Sequence, residues 1–319
     1  MSGTTPQTRP AAGTWRDVDG IVLLDKPEGL TSNAALQRVR RAFRARKAGH
    51  TGSLDPLASG LLPVCLGQAT KASGLLLDAD KTYRVRISLG KRTTTGDREG
   101  AVAETAPVPV LHGETIRRVA AGFLGQSTQV PPMYSALKHQ GKRLYQLARQ
   151  GIEVERLPRR VTIHRLDVLR TGPDWLELEV VCSKGTYVRS LAEDFARACG
   201  TVGHVESLRR IALGPFRSPA MRTPQEIEQA AEHPDELDAM LLPVDAALPG
   251  LPAIQLGPAE QAFVLRGQPV AIAGPGAARV RMYGVDGLFL GVGRMSGEGR
   301  RLAPERIMID ISGGPATRA

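Results

Sequence analysis

Residues 49–64 read Gly49-His50-Thr51-Gly52-Ser53-Leu54-Asp55-Pro56-Leu57-Ala58-Ser59-Gly60-Leu61-Leu62-Pro63-Val64. The stretch packs glycines, prolines and a single acid, Asp55, directly after a run of arginines. An Asp before Pro in a glycine-bearing loop is ordinarily a turn residue. Read by itself, the segment offers an acid in a rigid loop beside a basic surface. That combination suits chemistry on a nucleic acid.

On the N-terminal side, Gly20-Ile21-Val22-Leu23-Leu24-Asp25 is a short apolar run and predicts a buried strand. Lys26-Pro27-Glu28-Gly29 turns the chain, and Thr31 or Ser32 can then cap a helix. Leu36, Val39 and Phe43 fall at i, i+3 and i+7 and make its apolar stripe. Arg38, Arg40, Arg41, Arg44, Arg46 and Lys47 take up most of the rest, with no acid among them. The helix can therefore bury one side and present a basic one.

On the C-terminal side, Lys81 to Leu89 alternates. Tyr83, Val85, Ile87 and Leu89 point one way, and Arg84, Arg86 and Ser88 the other, as in a half-buried strand. Glu114 to Leu124 reads as a helix through Ile116, Val119, Ala120 and Phe123. Pro131-Pro132 opens a polar, basic region that runs to about Arg160, with one short helix near Leu144 to Arg149. Trp175 to Ser183 alternates again, and the turn Lys184-Gly185-Thr186 leads into a helix from about Tyr187 to Cys199. Segments 225–231 and 236–242 are also predicted helical. After Leu248-Pro249-Gly250-Leu251-Pro252 the texture changes to short β-like pieces with glycine turns, including Asp286-Gly287 as a hairpin signal. Strands and helices without regular βα alternation predict an α+β fold with a largely antiparallel sheet.

Bulk properties narrow the function. A chain of 319 residues suits two domains. At 42% apolar and 23% charged residues it builds a core and is not disordered. It contains no run of about 18 apolar residues, and its N-terminus lacks an apolar signal stretch, so a cytoplasmic protein is expected. Cys65, Cys182 and Cys199 are odd in number and fit no metal spacing; reduced, buried thiols are expected. The six histidines form no HxxxH or HxH pair, so no metal is expected. A formal charge of +10 fits a polyanion. Its distribution adds weight. Besides the 38–47 run, Lys138, Lys142, Arg143 and Arg149 form a second basic stretch, and Arg156, Arg159 and Arg160 a third.

The string GHTGSLDPLASGLLPVCLGQATK closely resembles the catalytic motif of the TruB family, the tRNA pseudouridine-55 synthases. LLDKPEGLTS, KTYRVRISLG, PPMYSALKHQGKRLYQLARQG, CSKGTYVRSLAEDFA and HVESLRRIALGPF resemble that family's other segments, in order, across residues 20–218. The β-like tail is similar to the RNA-binding PUA domain through its GLFLGVG strand. The resemblance implies a pseudouridine-synthase fold: a mixed, mainly antiparallel sheet flanked by helices, with a small β-rich PUA-like domain. It implies tails at 1–17 and 313–319, a catalytic domain at 18–249 with an RNA-binding insertion at 131–160, and the PUA-like domain at 250–312, folding apart from the catalytic core.

The implied reaction detaches uracil from ribose at N1, turns it and rejoins it through C5, at position 55 in the T-arm of tRNA. Asp55 matches the catalytic aspartate, attacking C6 of the ring or C1′ of the sugar, or helping to form a ribose-derived intermediate. Tyr83 matches an active-site tyrosine that stacks on the extruded base and handles a proton. Arg189 matches an arginine that pairs with the aspartate and favours its charged form. Tyr187 should line the same pocket, and Leu208 resembles an apolar residue that covers the base. His50 matches a histidine that enters the RNA loop as the base leaves. Lys26 resembles a lysine near the cleft with a structural or phosphate role. Arg41, Arg44, Lys142 and Arg143 are the expected RNA contacts of the basic helix and the insertion. No cofactor is implied, since the isomerisation needs no redox step or group donor. The implied partner is the tRNA T stem-loop, with no membrane and no obligate protein partner. Two other readings compete: a non-catalytic RNA-binding or RNA-folding protein, and a guide-dependent synthase of the dyskerin type.

Overall fold

The computed structural model describes residues 14–276 and 279–310, so the expected tails lie outside it apart from residues 14–17. The chain begins with β1 (Gly20–Lys26), α1 (Ser32–Ala42), β2 (Ala48–His50) and β3 (Ser59–Leu66). Next come α2 (Ser73–Leu77), β4 (Lys81–Leu89), the small hairpin β5 (Lys91–Thr93) and β6 (Val102–Thr105), α3 (Gly113–Gly122) and β7 (Gly125–Gln129). The hairpin β8 (Lys138–His139) and β9 (Lys142–Arg143) follows, with α4 (Leu144–Ala148) where the short helix is expected. Then follow β10 (Arg159–Thr171), β11 (Trp175–Cys182), α5 (Val188–Ala198), β12 (Gly203–Leu213), β13 (Phe216–Arg217), α6 (Pro224–Ala230) and α7 (Pro234–Asp238). The C-terminal part holds β14 (Ala253–Gln255), α8 (Pro258–Leu265), β15 (Val270–Ala271), β16 (Arg279–Tyr283), β17 (Phe289–Ser296) and β18 (Arg301–Ile307).

The large sheet runs in the order β1-β3-β12-β4-β11-β10-β7. Its neighbours are antiparallel except at β3 and β12, which meet in parallel. The sheet is thus mixed and mainly antiparallel, the expected class. One face carries α1, α3, α5 and α6 over a core that includes Val39, Ile116, Phe195 and Ile227. The other face of β1 and β3, bearing Ile21, Leu23, Leu61 and Cys65, is covered by Leu76 and by Val292 and Met308 of the C-terminal part. Those two strands are buried on both sides, which is why they read as continuous apolar runs. β4 is buried on one side and alternates.

The C-terminal five-stranded sheet, β14-β16-β17-β18-β15, has a core of its own around Val264, Val280, Met282 and Leu302. It also packs against the back of β1 and β3. Val292 and Met308 belong to the same apolar cluster as Ile21 and Leu61, Lys71 Nζ donates to the Ile307 carbonyl at 2.8 Å, and Arg306 Nη1 donates to the Lys71 carbonyl at 2.9 Å.

Thr31, rather than Ser32, caps α1: its Oγ1 accepts from the Ala34 N–H at 3.1 Å. The helix ends with Arg44 in the left-handed region at φ 49°, a place usually filled by glycine. Ala45 N–H returns to the Arg40 carbonyl and Arg44 N–H to that of Arg41. Among the described residues, no helix is long and apolar enough to cross a membrane. Cys65, Cys182 and Cys199 are buried and unpaired.

Candidate active site

Asp55 sits in the strap 51–58 that joins β2 to β3. Although irregular, this strap is firmly held. Leu54, Leu57 and Ala58 are buried in the core beneath it. The Ser32 hydroxyl, freed from capping, donates to the Leu54 carbonyl at 2.9 Å and accepts from the Leu54 N–H at 2.7 Å. Ala58 N–H closes a turn onto the Asp55 carbonyl, and Gly29 N–H donates to that of Pro56. The Asp55 side chain is left exposed on a loop with little freedom, which suits a reacting carboxylate.

Arg189, in the first turn of α5, meets Asp55: Nη2 lies 2.9 Å from Asp55 Oδ2. The guanidinium is only 5% exposed and is otherwise satisfied by protein. Nη2 also donates to the Tyr134 carbonyl at 2.6 Å and Nη1 to that of Thr95 at 2.8 Å, while Asp97 Oδ2 stands 3.5 Å from Nη1. Asp97 is itself fixed by the Thr95 hydroxyl at 2.6 Å. A buried cation with carboxylates and carbonyls around its planar fork is fixed in orientation as well as charge.

A cavity of about 110 Å³ opens beside the pair, walled by Asp55, Tyr83, Tyr187, Arg189 and Leu208. Five residues singled out in the sequence thus converge on one place. Tyr83 and Leu208 come from the adjacent strands β4 and β12, and Tyr187 precedes α5. Tyr187 is pinned through its backbone, since Gln129 accepts from its N–H at 2.7 Å and donates to its carbonyl at 3.0 Å. Burial pushes both tyrosine hydroxyls above their ordinary pKa, partly opposed by Arg210 at Tyr83 and by Ser135 at Tyr187. The cavity can hold a flat ring against aromatic and aliphatic walls, with one carboxylate at its edge.

The other candidates lie outside these walls. His50 is half-buried on β2, with Nδ1 shielded and unbonded; burial and the nearby Arg210 pull its imidazole below the usual value, which favours the neutral ring. Lys26 is enclosed by the protein. It is 0% exposed, and its Nζ donates to the carbonyls of Pro27, Leu30 and Pro56 at 2.8, 2.7 and 3.3 Å. A lysine so enclosed braces the strap, the structural one of the two roles expected of it. Burial draws its ammonium down to about 8.

The basic run is less uniformly free than it reads. Arg38 makes a bidentate pair with Glu228, Arg40 donates to the Ala45 and Arg46 carbonyls and stacks on Trp15, and Arg46 pairs with Asp17. Arg41 and Arg44 remain exposed, as do Lys142 and Arg143 on the β8–β9 hairpin. Asp97, Ser32, Gln129 and Arg210 were not foreseen. Asp97 follows Gly96 in a segment that reads as a turn, and nothing in the sequence ties it to Arg189 across the fold.

The chain is similar to known proteins along most of its length. Residues 40–188 match the family described as TruB family pseudouridylate synthase (N terminal domain). Residues 189–249 match the tRNA pseudouridylate synthase B C-terminal domain, and residues 252–308 match Pseudouridine synthase II TruB, C-terminal. A protein of Nitrosococcus oceani called tRNA pseudouridine synthase B is 52% identical over 301 residues, 93% of this chain and 97% of that protein. One of the same name from Yersinia enterocolitica is 48% identical over 305 residues, 92% of each. Among solved structures, a chain of a Cbf5–Nop10–Gar1 complex superposes with a TM-score of 0.71 at 24% identity, covering 95% of this chain and 91% of that one. At that identity the likeness speaks for the fold.

Proposed function

The chain belongs to the TruB family of pseudouridine synthases, and from that premise we propose that it isomerises the uridine at position 55 in the T-arm of tRNA. It is an isomerase that makes pseudouridine in tRNA. The target position, the path of the base and the acting residues are our reading. The observation that carries it is the exposed Asp55 carboxylate, held at 2.9 Å by a buried arginine at the mouth of a cavity walled by two tyrosines and a leucine.

In this reading the uridine leaves the helical stack and its ring enters the cavity, lying against Tyr83 and under Leu208. Asp55 assists cleavage of the N1–C1′ bond by attack on C6 or C1′, or by helping to form a ribose-derived intermediate. The freed base turns and C5 bonds to C1′. C5 gives up its proton, N1 gains one, and Tyr83 is placed to relay it. His50 fills the space that the base leaves. The exposed cations of α1 and of the β8–β9 hairpin neutralise phosphates of the T stem-loop, and the C-terminal domain adds RNA contacts away from the cavity. No cofactor and no obligate protein partner enter this scheme, and the proposed compartment is the cytoplasm. Opening the tRNA elbow to expose the base also makes an accompanying RNA-folding activity part of the reading. A guide-dependent route is the weaker alternative, because relatives near 50% identity across the chain are called tRNA pseudouridine synthase B.

The deciding experiment incubates the purified protein with unmodified tRNA and no guide RNA, then maps pseudouridine chemically. Pseudouridine at position 55 is expected. Its absence there would refute the T-arm reading, and a requirement for added guide would favour the alternative.

A further inference from the structure

Arg210, in the central strand β12, is 1% exposed. Burying a guanidinium is costly unless its donors are met. Among the described residues it forms no ion pair, and two of its donors go to backbone. Nε donates to the Leu61 carbonyl at 2.7 Å and Nη2 to the Gly52 carbonyl at 3.0 Å. Gly52 and Leu61 bracket the strap that carries Asp55, so one side chain ties its two ends together.

The sheet register puts Arg210 at the junction of the site. On one side it pairs with Gly60 of β3, where the two strands meet in parallel, and on the other with Tyr83 of β4. Gly60 has φ 99°, and a Cβ there would collide with the Arg210 carbonyl oxygen. Glycine is therefore required for the strands to approach this closely. The charge of Arg210 also reaches Tyr83, partly offsetting the upward push of burial on its hydroxyl. Two other buried cations nearby serve fewer points of the strap: Lys26 meets it at Pro56, and Lys81 caps the end of α2 at the Leu77 and Ala79 carbonyls.

We propose that Arg210 is a positioning residue of the reaction: by clamping residues 52 and 61 beside Tyr83, it fixes Asp55 and Tyr83 in one geometry for the base between them. The proposal rests on the reading of those two residues as the reacting pair. A planar fork suits the task because its donors leave in fixed directions toward two carbonyls, whereas a lysine ammonium is a single point on a flexible stem.

The test compares Arg210→Met and Arg210→Lys with wild type in three measurements: single-turnover rate at saturating tRNA, tRNA affinity, and amide hydrogen exchange read by mass spectrometry. Arg210→Met should slow the reaction about 100-fold, the scale expected when a reacting group is misplaced. Affinity should be unchanged, and exchange should rise within residues 51–61 while α5 and the rest of the sheet stay protected. Arg210→Lys should recover part of the rate. A folded variant with wild-type rate and strap exchange overturns the proposal. So does an exchange increase spread over the whole sheet, which would make Arg210 a support of the fold at large. If Arg210→Met does not fold, Arg210→Lys is read alone against the same outcomes, with a smaller rate loss and the same confinement to the strap. The exchange arm uses no RNA, so it judges the clamp even if wild-type protein makes no pseudouridine, a result that would count against the functional reading instead.

Discussion

Arg189 and Asp55 form an unequal pair: the guanidinium is 5% exposed and the carboxylate 47%, with 2.9 Å between Nη2 and Oδ2. The cation is part of the interior and the anion faces the cavity. The field that holds the carboxylate is thus built in before any substrate arrives, while an open side of Asp55 stays available for reaction.

Asp55→Asn keeps nearly the same shape but removes the charge and the nucleophilic oxygen. Turnover should be lost while tRNA binding survives, because binding rests on the basic surfaces. Single-turnover assays beside filter binding check this. Appreciable pseudouridine formation by the variant would remove Asp55 from its assigned role.

Arg189→Lys keeps the charge and loses the fork. Three donors on one nitrogen cannot serve Asp55, Asp97 and the Thr95 and Tyr134 carbonyls, which lie in different directions. The expected result is a rate about 100-fold lower at saturating tRNA, with affinity retained. A rate near wild type would mean that charge alone suffices at this position.

Salt dependence separates the free arginines of the basic run from the engaged ones. Log K for tRNA should fall linearly with log salt. Replacing Arg41 with Ala and Arg44 with Gly, which suits the left-handed backbone there, should reduce the slope by up to about two, roughly one per phosphate contact. Arg38→Ala, which removes the partner of Glu228, should change it little. Equal slopes for wild type and the double variant would place that face in solvent.

Lys26 makes stability depend on alkaline pH. Burial brings its ammonium to about 8 in the folded protein, against about 10.4 in an unfolded chain. Between those values the unfolded chain holds more protons, so stability rises with pH. Below about 8 the lysine is charged in both states, and above about 10.5 it is neutral in both, so its share is flat outside the window. Denaturant unfolding at several pH values should show a shallower rise for Lys26→Met than for wild type. Parallel curves would show that the folded protein keeps Lys26 charged throughout.

Much of the fold could be read from the residues because burial follows simple periods. The stripe Leu36, Val39 and Phe43 gives α1, and the alternation through Tyr83, Val85 and Ile87 gives β4. β12 escaped because register shifts at Val205/Ser207 and Arg210/Ala212 break its alternation, and because a buried arginine reads as an exposed one. β10 was obscured by joining the basic excursion, although Arg159 and Arg160 already pair with Gln129 and Thr128 in the sheet. α8 was hidden among the short β-like pieces of the C-terminal part. Around the cavity, Asp55, Tyr83, Tyr187, Arg189 and Leu208 are legible through the motifs that carry them. Asp97 and Arg210 act through partners distant in sequence, and no local pattern announces a long-range hydrogen bond.

The apolar cluster that unites Ile21 and Leu61 with Val292 and Met308 bears on how the molecule is made. Contacts between the two ends of a long chain are slow to form, because a large loop must close before they are rewarded. During synthesis the part of the back of β1 and β3 packed by Val292 and Met308 lacks its cover until those residues have been made. The segment around Met308 therefore completes the apolar cover behind β3, the strand into which the Asp55 strap runs.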